Sequence, residues 1–440
     1  MKKTLLQINV CNNVFSTGKI ASDIGELAMK NGWKSYIVSS RGDGYAPSKN
    51  TSLFVGSRIN TYVHALETRL FDNSGLGFCS QHASRQLISY IEEIQPDIIH
   101  FHIIHGYYLN LQVLFEYLSE KDIAIVWTIH SCWEITGHCS FFDTVGCEKW
   151  KTGCHHCPQL SEYPRSWFKD RSERNYAQKK YLFTSLKDVT LVPVSYWLSR
   201  LLQQSFLNIY PIKPIYNGID IDKFKPSNKV DAIRSQYVEN HGFLAIAVAS
   251  TWEKRKNLED YVALSKLLPL GYKLLIIGLS DKQIETLPSG NLVGMKRTTC
   301  MQELVDLYSA ADVVLNLSLE ETFGLTTVEG FACGTPSIVY NCTASPELVS
   351  PETGFVVEPR NILRVVDCMK EIKRNGKVHY SDACRRRAEE KFDKNKNFMK
   401  YIDIYKDIII RRGGVDHRFT ILYIFHADSC PISNYRRAAA

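Results

Sequence analysis

Two acidic side chains, Glu321 and Glu329, stand eight residues apart in the stretch Ser318-Leu319-Glu320-Glu321-Thr322-Phe323-Gly324-Leu325-Thr326-Thr327-Val328-Glu329-Gly330. The stretch reads as a strand end, a loop and a helix, with Glu321 in the loop and Glu329 in the helix's first turn. Both carboxylates then face one pocket at the carboxyl edge of a sheet. Gly324 allows close backbone approach, and the free amides of the helix start, aided by the helix dipole, can hold a phosphate. Carboxylates beside a phosphate seat suit a ligand rich in hydroxyls, such as a ribose or a hexose. A plainer reading stands beside this one: Thr326-x-x-Glu329 is a capping box, and Gly334 and Pro336 are ordinary helix stops.

A second cluster lies between residues 132 and 158, where Cys132, Cys139, Cys147, Cys154 and Cys157 mingle with His138, His155 and His156. Cys139, Cys147, Cys154 and Cys157 are spaced C-x7-C-x6-C-x2-C and could close a tetrahedral structural zinc site through soft thiolates. The gaps are shorter than in common zinc ribbons, so plain reduced thiols and a disulfide-linked loop stay open as alternatives. Trp133, Trp150, Pro158, Tyr163 and Pro164 make this insert aromatic and stiff.

The elements that must position these residues repeat a simple unit. Leu5 to Val10 reads as a strand, Ser16-Thr17-Gly18 as a loop, and Ile20, Ile24, Leu27 and Ala28 as one face of a helix before the strand Tyr36 to Ser39. A helix through Leu87, Ile91 and Ile94 precedes the buried strand Asp97 to His102, and a helix near Val113 to Leu118 precedes the strand Ile123 to Thr128. A second series follows Asn217-Gly218, with strands at Leu244 to Ala249, Lys273 to Ile277, Val313 to Leu317 and Ser337 to Tyr340. Repeated βα units imply two doubly wound parallel sheets whose ligands sit beyond the strands' carboxyl ends, where His102 and His130 both fall. A helix from Asn395 to Arg411 ends near Gly413-Gly414, and the segment 413–440 carries no functional reading.

The 440 residues suffice for two or three domains. With 45% hydrophobic and 22% charged residues the chain is ordinary globular material. The formal charge of +7, from 53 basic and 46 acidic residues, is too mild and too dispersed for a nucleic-acid signature. No apolar run approaches the ~18 residues that would span a bilayer. Leu5 to Val10 is interrupted by Gln7 and Asn9 and reads as a strand rather than an export signal, so the expected location is cytoplasmic, with peripheral attachment to the inner face of the membrane allowed by the basic charge. The 13 cysteines are then expected as thiols or metal ligands.

The Glu321-x7-Glu329 stretch resembles the Glu-x7-Glu motif of the family-4 retaining glycosyltransferases of GT-B fold. Asn217-Gly218-Ile219-Asp220 with Phe224 and Pro226 resembles the opening of their second domain, and Val194-Ser195 and His130 resemble their inter-domain and active-site positions. The likeness covers residues 4 to 410. It implies two Rossmann-like domains facing a cleft: residues 1–215 receiving the acceptor, 216–394 binding the nucleotide sugar, and 395–412 crossing back. The resemblance gives Glu329 the ribose hydroxyls, Glu321 the donor-sugar hydroxyls, and the backbone at Phe323, Gly324 and Leu325 the sugar and diphosphate.

Lys256 resembles the family's diphosphate-neutralising lysine. The partner arginine is replaced by Ser250-Thr251, so either Arg255 takes its place or fewer charges serve. Gly18 resembles the glycine that lets the first loop approach the donor phosphate, although a simple turn glycine looks the same. His130 is expected near the donor sugar as an electrostatic or positioning group, although a satisfied strand-end histidine would look the same, and His102 and His105 are weaker candidates. Catalysis then needs no cofactor. The subgroup that Thr136-Gly137-His138-Cys139 and the cysteine pattern resemble builds bacterial surface polysaccharides, which implies a glycan or lipid-linked glycan acceptor. Two rivals are a nucleotide-sugar epimerase of the same fold, which would alter the donor without an acceptor, and a zinc-containing nucleic-acid-binding protein built on the cysteines.

Overall fold

The computed structural model describes residues 2–41, 48–73, 75–239 and 241–413. Twelve strands form two parallel six-stranded sheets. The first holds β1 (Thr4–Ile8), β2 (Lys34–Ser39), β3 (Thr51–Phe54), β4 (Ile98–Phe101), β5 (Ala124–Ile129) and β6 (Val189–Pro193) in the order β3-β2-β1-β4-β5-β6. The second holds β7 (Phe243–Val248), β8 (Tyr272–Ile277), β9 (Leu292–Met295), β10 (Val313–Asn316), β11 (Ser337–Tyr340) and β12 (Gly354–Val357) in the order β12-β11-β10-β7-β8-β9. The two orders are the same doubly wound pattern.

Central strands are buried throughout and mostly apolar because helices cover both sheet faces: every residue of β4, β5 and β10 is buried, with His100, Thr128 and Asn316 their only polar members. In the helix Phe15–Lys30, Ile20, Ile24 and Ala28 point inward as their spacing predicts. Most boundaries shift by a residue or two from expectation, and two of the shifts bear on the first crevice. β1 ends at Ile8; the Asn9 amide still donates to the Val38 carbonyl at 3.1 Å, while its side chain ties the following turn, donating to the Cys11 carbonyl at 2.7 Å and accepting from the Ile103 amide at 3.1 Å. Gly18 lies within the first helical turn rather than in a loop, where a Cβ would meet Cys11 Sγ at 3.0 Å and the Asn13 amide nitrogen at 3.2 Å.

The chain crosses between the halves twice, side by side. Ile219 pairs with Asp393, exchanging bonds of 2.8 and 2.9 Å with Phe392 and Lys394, and Gly218 packs so tightly on the Lys394 backbone that no side chain fits. The helix Lys394–Arg412 then lies on the first half, where Tyr401, Ile402, Tyr405 and Ile408 share a core with Leu5, Ile24 and Val126. The expectation for 413–440 falls, beyond Gly413, outside the described residues.

Candidate active site

Strand order reverses between β1 and β4 in one sheet and between β7 and β10 in the other, opening a crevice at each set of carboxyl ends. At the second crevice the loops leaving β7 and β10 are stitched together. Leu319 donates to the Arg255 carbonyl at 2.9 Å, and the Asn257 side chain donates to the Leu317 carbonyl at 3.1 Å. Stitching brings Lys256 Nζ into an ion pair with Glu321 Oε1, with Arg255 Nη1 4.0 Å from the other oxygen. Burial alone would raise the Glu321 carboxyl. Lys256 and Arg255 outweigh it and hold the group below the ordinary carboxylate range. Burial also lowers Lys256, against the pull of Glu321.

The helix Leu325–Ala332 begins at Gly324, whose φ of 104° turns the chain into the helix. Thr326 is therefore already helical and cannot cap, so the capping-box reading fails, and Glu329 sits in the second turn rather than the first. Its carboxylate accepts the Tyr308 hydroxyl at 2.8 Å. Burial raises it to about 7, only partly offset by Tyr308 and by Lys19 of the first half. Lys19 thus reaches Glu329 electrostatically across the cleft, next in sequence to Gly18. The Phe323 ring turns into the core against Tyr216 and Phe392, at 5.8 Å from each, so only its backbone faces the crevice beside Gly324 and Leu325.

At the first crevice the groups are neutral. His130, just beyond β5, stands 3.3 Å from His102 through Nε2, and His102 reaches Gln7 Oε1 at 3.1 Å. Burial pushes His130 down to about 3 and His102 well below its ordinary value. An imidazole so depressed carries no charge near neutrality. His100 is locked behind between Tyr405, at 2.6 Å, and Thr128, at 2.8 Å. His105 turns away to the Tyr163 hydroxyl at 3.0 Å.

The cysteine insert bridges the halves. Thr144 donates its amide, at 2.9 Å, and its hydroxyl, at 3.1 Å, to the Glu320 carboxylate, and the Phe141 ring lies 4.9 Å from the Arg255 guanidinium. Arg255 also donates to the Glu320 carbonyl at 3.4 Å and to Glu253 at 3.2 Å, so it is held among acceptors rather than aimed freely at a phosphate. Another guanidinium occupies the neighbourhood of the missing arginine: Arg297 donates to the Ser250 carbonyl at 3.1 and 2.6 Å. Beneath the insert the buried Lys179 donates to the carbonyls of Trp133, at 2.7 Å, and Thr136, at 3.0 Å, fixing the turn that follows His130.

Cys139, Cys147, Cys154 and Cys157 are all free thiols lining one cavity. A hydrogen bond from Cys139 lowers the Cys157 thiol to about 7, and the Gly137 amide donates to Cys154 Sγ at 3.2 Å. Among the described residues no three His, Cys, Asp or Glu side chains are arranged to hold a metal as they lie. No helix among them is long and apolar enough to cross a membrane.

Two facing doubly wound domains, with a cation, paired acids and a glycine-started helix at the second crevice, constitute the GT-B architecture. Residues 20–223 match the family model described as Glycosyltransferase Family 4, and residues 229–391 the one described as Glycosyl transferases group 1. The chain belongs to these glycosyltransferases. It is 25% identical over 379 residues to the Escherichia coli (strain K12) protein WcaC, whose name places it in colanic acid biosynthesis as a glycosyl transferase; the match covers 83% of this chain and 90% of that one. The fold is shared with sucrose-phosphate synthase from Thermosynechococcus elongatus, with a TM-score of 0.69 and 16% identity over 93% of this chain and 100% of that one. It is also shared with Anabaena HepE in complex with UDP-glucose, with a TM-score of 0.62 and 14% identity over 92% and 99%.

Proposed function

We propose that this glycosyltransferase moves a hexose, with retention of anomeric configuration, from a nucleotide-diphosphate donor to a glycan or lipid-linked glycan during surface-polysaccharide assembly. The observation that carries the reading is the convergence of Lys256, Glu321 and the Gly324-started helix at one strand-order reversal, with Glu329 one turn further on. WcaC's name and HepE's bound UDP-glucose support it.

In this reading Glu329 accepts the ribose hydroxyls and Glu321 the sugar hydroxyls. Lys256 and the helix amides receive the charge that develops on the diphosphate as the bond from sugar C1 to phosphate oxygen breaks. The acceptor hydroxyl bonds to C1 on the same face, and its proton leaves with the departing phosphate. His130 contributes as a neutral hydrogen-bonding group beside the sugar. Cys139, Cys147, Cys154 and Cys157, free thiols around one cavity, would be the residues to hold a structural zinc; metal analysis of protein purified without chelator is expected to return one equivalent, and sub-stoichiometric zinc removes it.

Thermal-shift measurements with UDP-, GDP- and ADP-sugars test the donor site. One nucleotide class is expected to raise the melting temperature by mass action, and Lys256→Ala and Glu329→Ala to weaken that shift. If folded variants bind every sugar nucleotide as the parent does, the reading fails.

A further inference from the structure

Gln7 lies fully buried on β1 with its two polar atoms turned to different neighbours. Its Oε1 stands 3.1 Å from His102 Nε2, and its Nε2 has no partner among the described residues. Which way this amide lies decides where the protons of the neighbouring histidines sit. The Ser22 carbonyl is the fixed reference, because it can only accept. The Asn50 side chain donates to it at 3.1 Å and to Ser48 Oγ at 2.9 Å, so the Asn50 amide nitrogen faces Ser22 and its Oδ1 faces away.

Gly25 shows what that oxygen faces. A Cβ at Gly25, in the buried side of the helix Phe15–Lys30, would fall 2.0 Å from Asn50 Oδ1, 2.6 Å from Gln7 Nε2 and 2.7 Å from Ser35 Oγ, three buried atoms that converge on one spot. With Asn50 presenting an oxygen there, Gln7 must present its amide nitrogen. The amide turned over would set two buried carbonyl oxygens toward each other.

Gln7 Oε1 therefore faces His102, and His102 Nε2 carries the proton that it accepts. A neutral imidazole has one N–H, so His102 Nδ1 is a lone pair. Across 3.3 Å stands His130 Nε2, which must then donate. Among the described residues His130 makes no other side-chain hydrogen bond, so Nδ1 is the ring nitrogen left for a ligand. Packing enforces neutrality: the His100 and His102 ring centres are 4.0 Å apart and those of His102 and His130 5.6 Å, too close for buried rings to share positive charge. His100 obeys the same rule. Thr128 donates to Tyr401 at 3.1 Å, so it accepts from His100 Nε2, and His100 Nδ1 accepts from Tyr405.

We infer that Asn50, Gln7 and His102 are positioning residues that lock His130 in the tautomer with its proton on Nε2 and a lone pair on Nδ1. A group that meets His130 must then bring a donor: a sugar hydroxyl is accepted, whereas an ionised phosphate oxygen, which has no proton, is turned away. That consequence rests on the place given to His130 beside the sugar in the proposed reaction; the tautomer itself does not.

Long-range proton–nitrogen correlation spectra of the full chain with isotope-labelled histidine, recorded at pH 7 without donor, test the inference, with His130→Asn assigning the signal by its loss. His102 and His130 are both expected as neutral rings protonated at Nε2. Gln7→Met removes the acceptor at similar volume and should shift the His130 tautomer ratio about fivefold or more toward Nδ1–H, the scale of one hydrogen bond. Asn50→Ala, one step further away, should shift it the same way by less, and Gln7→Glu, which keeps an acceptor facing His102, should hold the parent tautomer. A parent His130 protonated at Nδ1 or on both nitrogens overturns the inference, whether or not any variant folds, and so does a folded Gln7→Met protein with the parent ratio. If the tautomers behave as expected but Gln7→Met binds the stabilising sugar nucleotide as the parent does, the lock stands and the place of His130 beside the sugar falls.

Discussion

The two crevices share one strand order and carry opposite chemistry. Beyond β7 and β10 the chain places Lys256 and Arg255 against Glu321, with the ionisable Glu329 on the helix that follows. Beyond β4 and β5 it places His102 and His130, which burial keeps neutral. Topology thus supplies a crevice twice, and side chains decide what each can hold. A charged crevice suits a diphosphate whose charge grows during bond cleavage; a neutral one suits an uncharged hydroxyl that must be placed without being ionised.

Breaking the charged side should have the largest effect. Lys256→Ala is expected to lower kcat by roughly 10²–10³-fold, the cost of losing one donor to a developing oxyanion, measured with saturating donor. Next, Glu329→Ala should weaken donor binding by roughly 10–100-fold, as hydrogen bonds to a charged group are worth about 1.5–3 kcal/mol. Glu329 is raised to about 7, so its accepting, ionised form grows as pH rises through that value. Donor affinity by calorimetry should therefore improve from pH 6 to 8, and Glu329→Gln should flatten the trend.

The neutral side sharpens the contrast. His130→Asn is expected to cost about tenfold in kcat, the scale of one hydrogen bond, while leaving the pH–rate profile between pH 5 and 8 unmoved because the native imidazole does not titrate there. A profile that loses a limb near pH 6.5 would show His130 charged after all. The smallest change joins the two sides: Thr144→Val removes the hydroxyl bond to Glu320 but keeps the amide bond, and should raise donor KM by about threefold.

The apolar strands β1, β4, β5, β7, β8, β10 and β11 are legible in the sequence because four or more buried residues run together between turn signals, and β2 because three do. β3, β6, β9 and β12 are not: β3 is mostly exposed, β6 carries Thr190 and ends at Pro193, and β9 and β12 each contain a glycine. At the site, the Glu321-x7-Glu329 spacing is visible, but Thr-x-x-Glu cannot reveal that the helix already begins at a positive-φ glycine one residue before Leu325. Thr144 with Glu320, 176 residues apart, and Lys19 with Glu329 depend on how the halves face each other, which no local pattern encodes. Arg297 beside Ser250 joins the loops after β9 and β7, and only the sheet order makes them neighbours. The neutral state of His130 rests on burial, which its neighbours in sequence do not disclose.

The paired crossings at Gly218–Ile219 and Phe392–Lys394 restrict how this molecule can breathe. A single tether would act as a ball joint; two adjacent tethers, zipped by backbone bonds and sterically shut at Gly218, define one line about which the halves can swing. Opening to admit a substrate and shutting to expel solvent then retrace the same arc, so the lysine–glutamate pair on one jaw returns each time to the same height against the other.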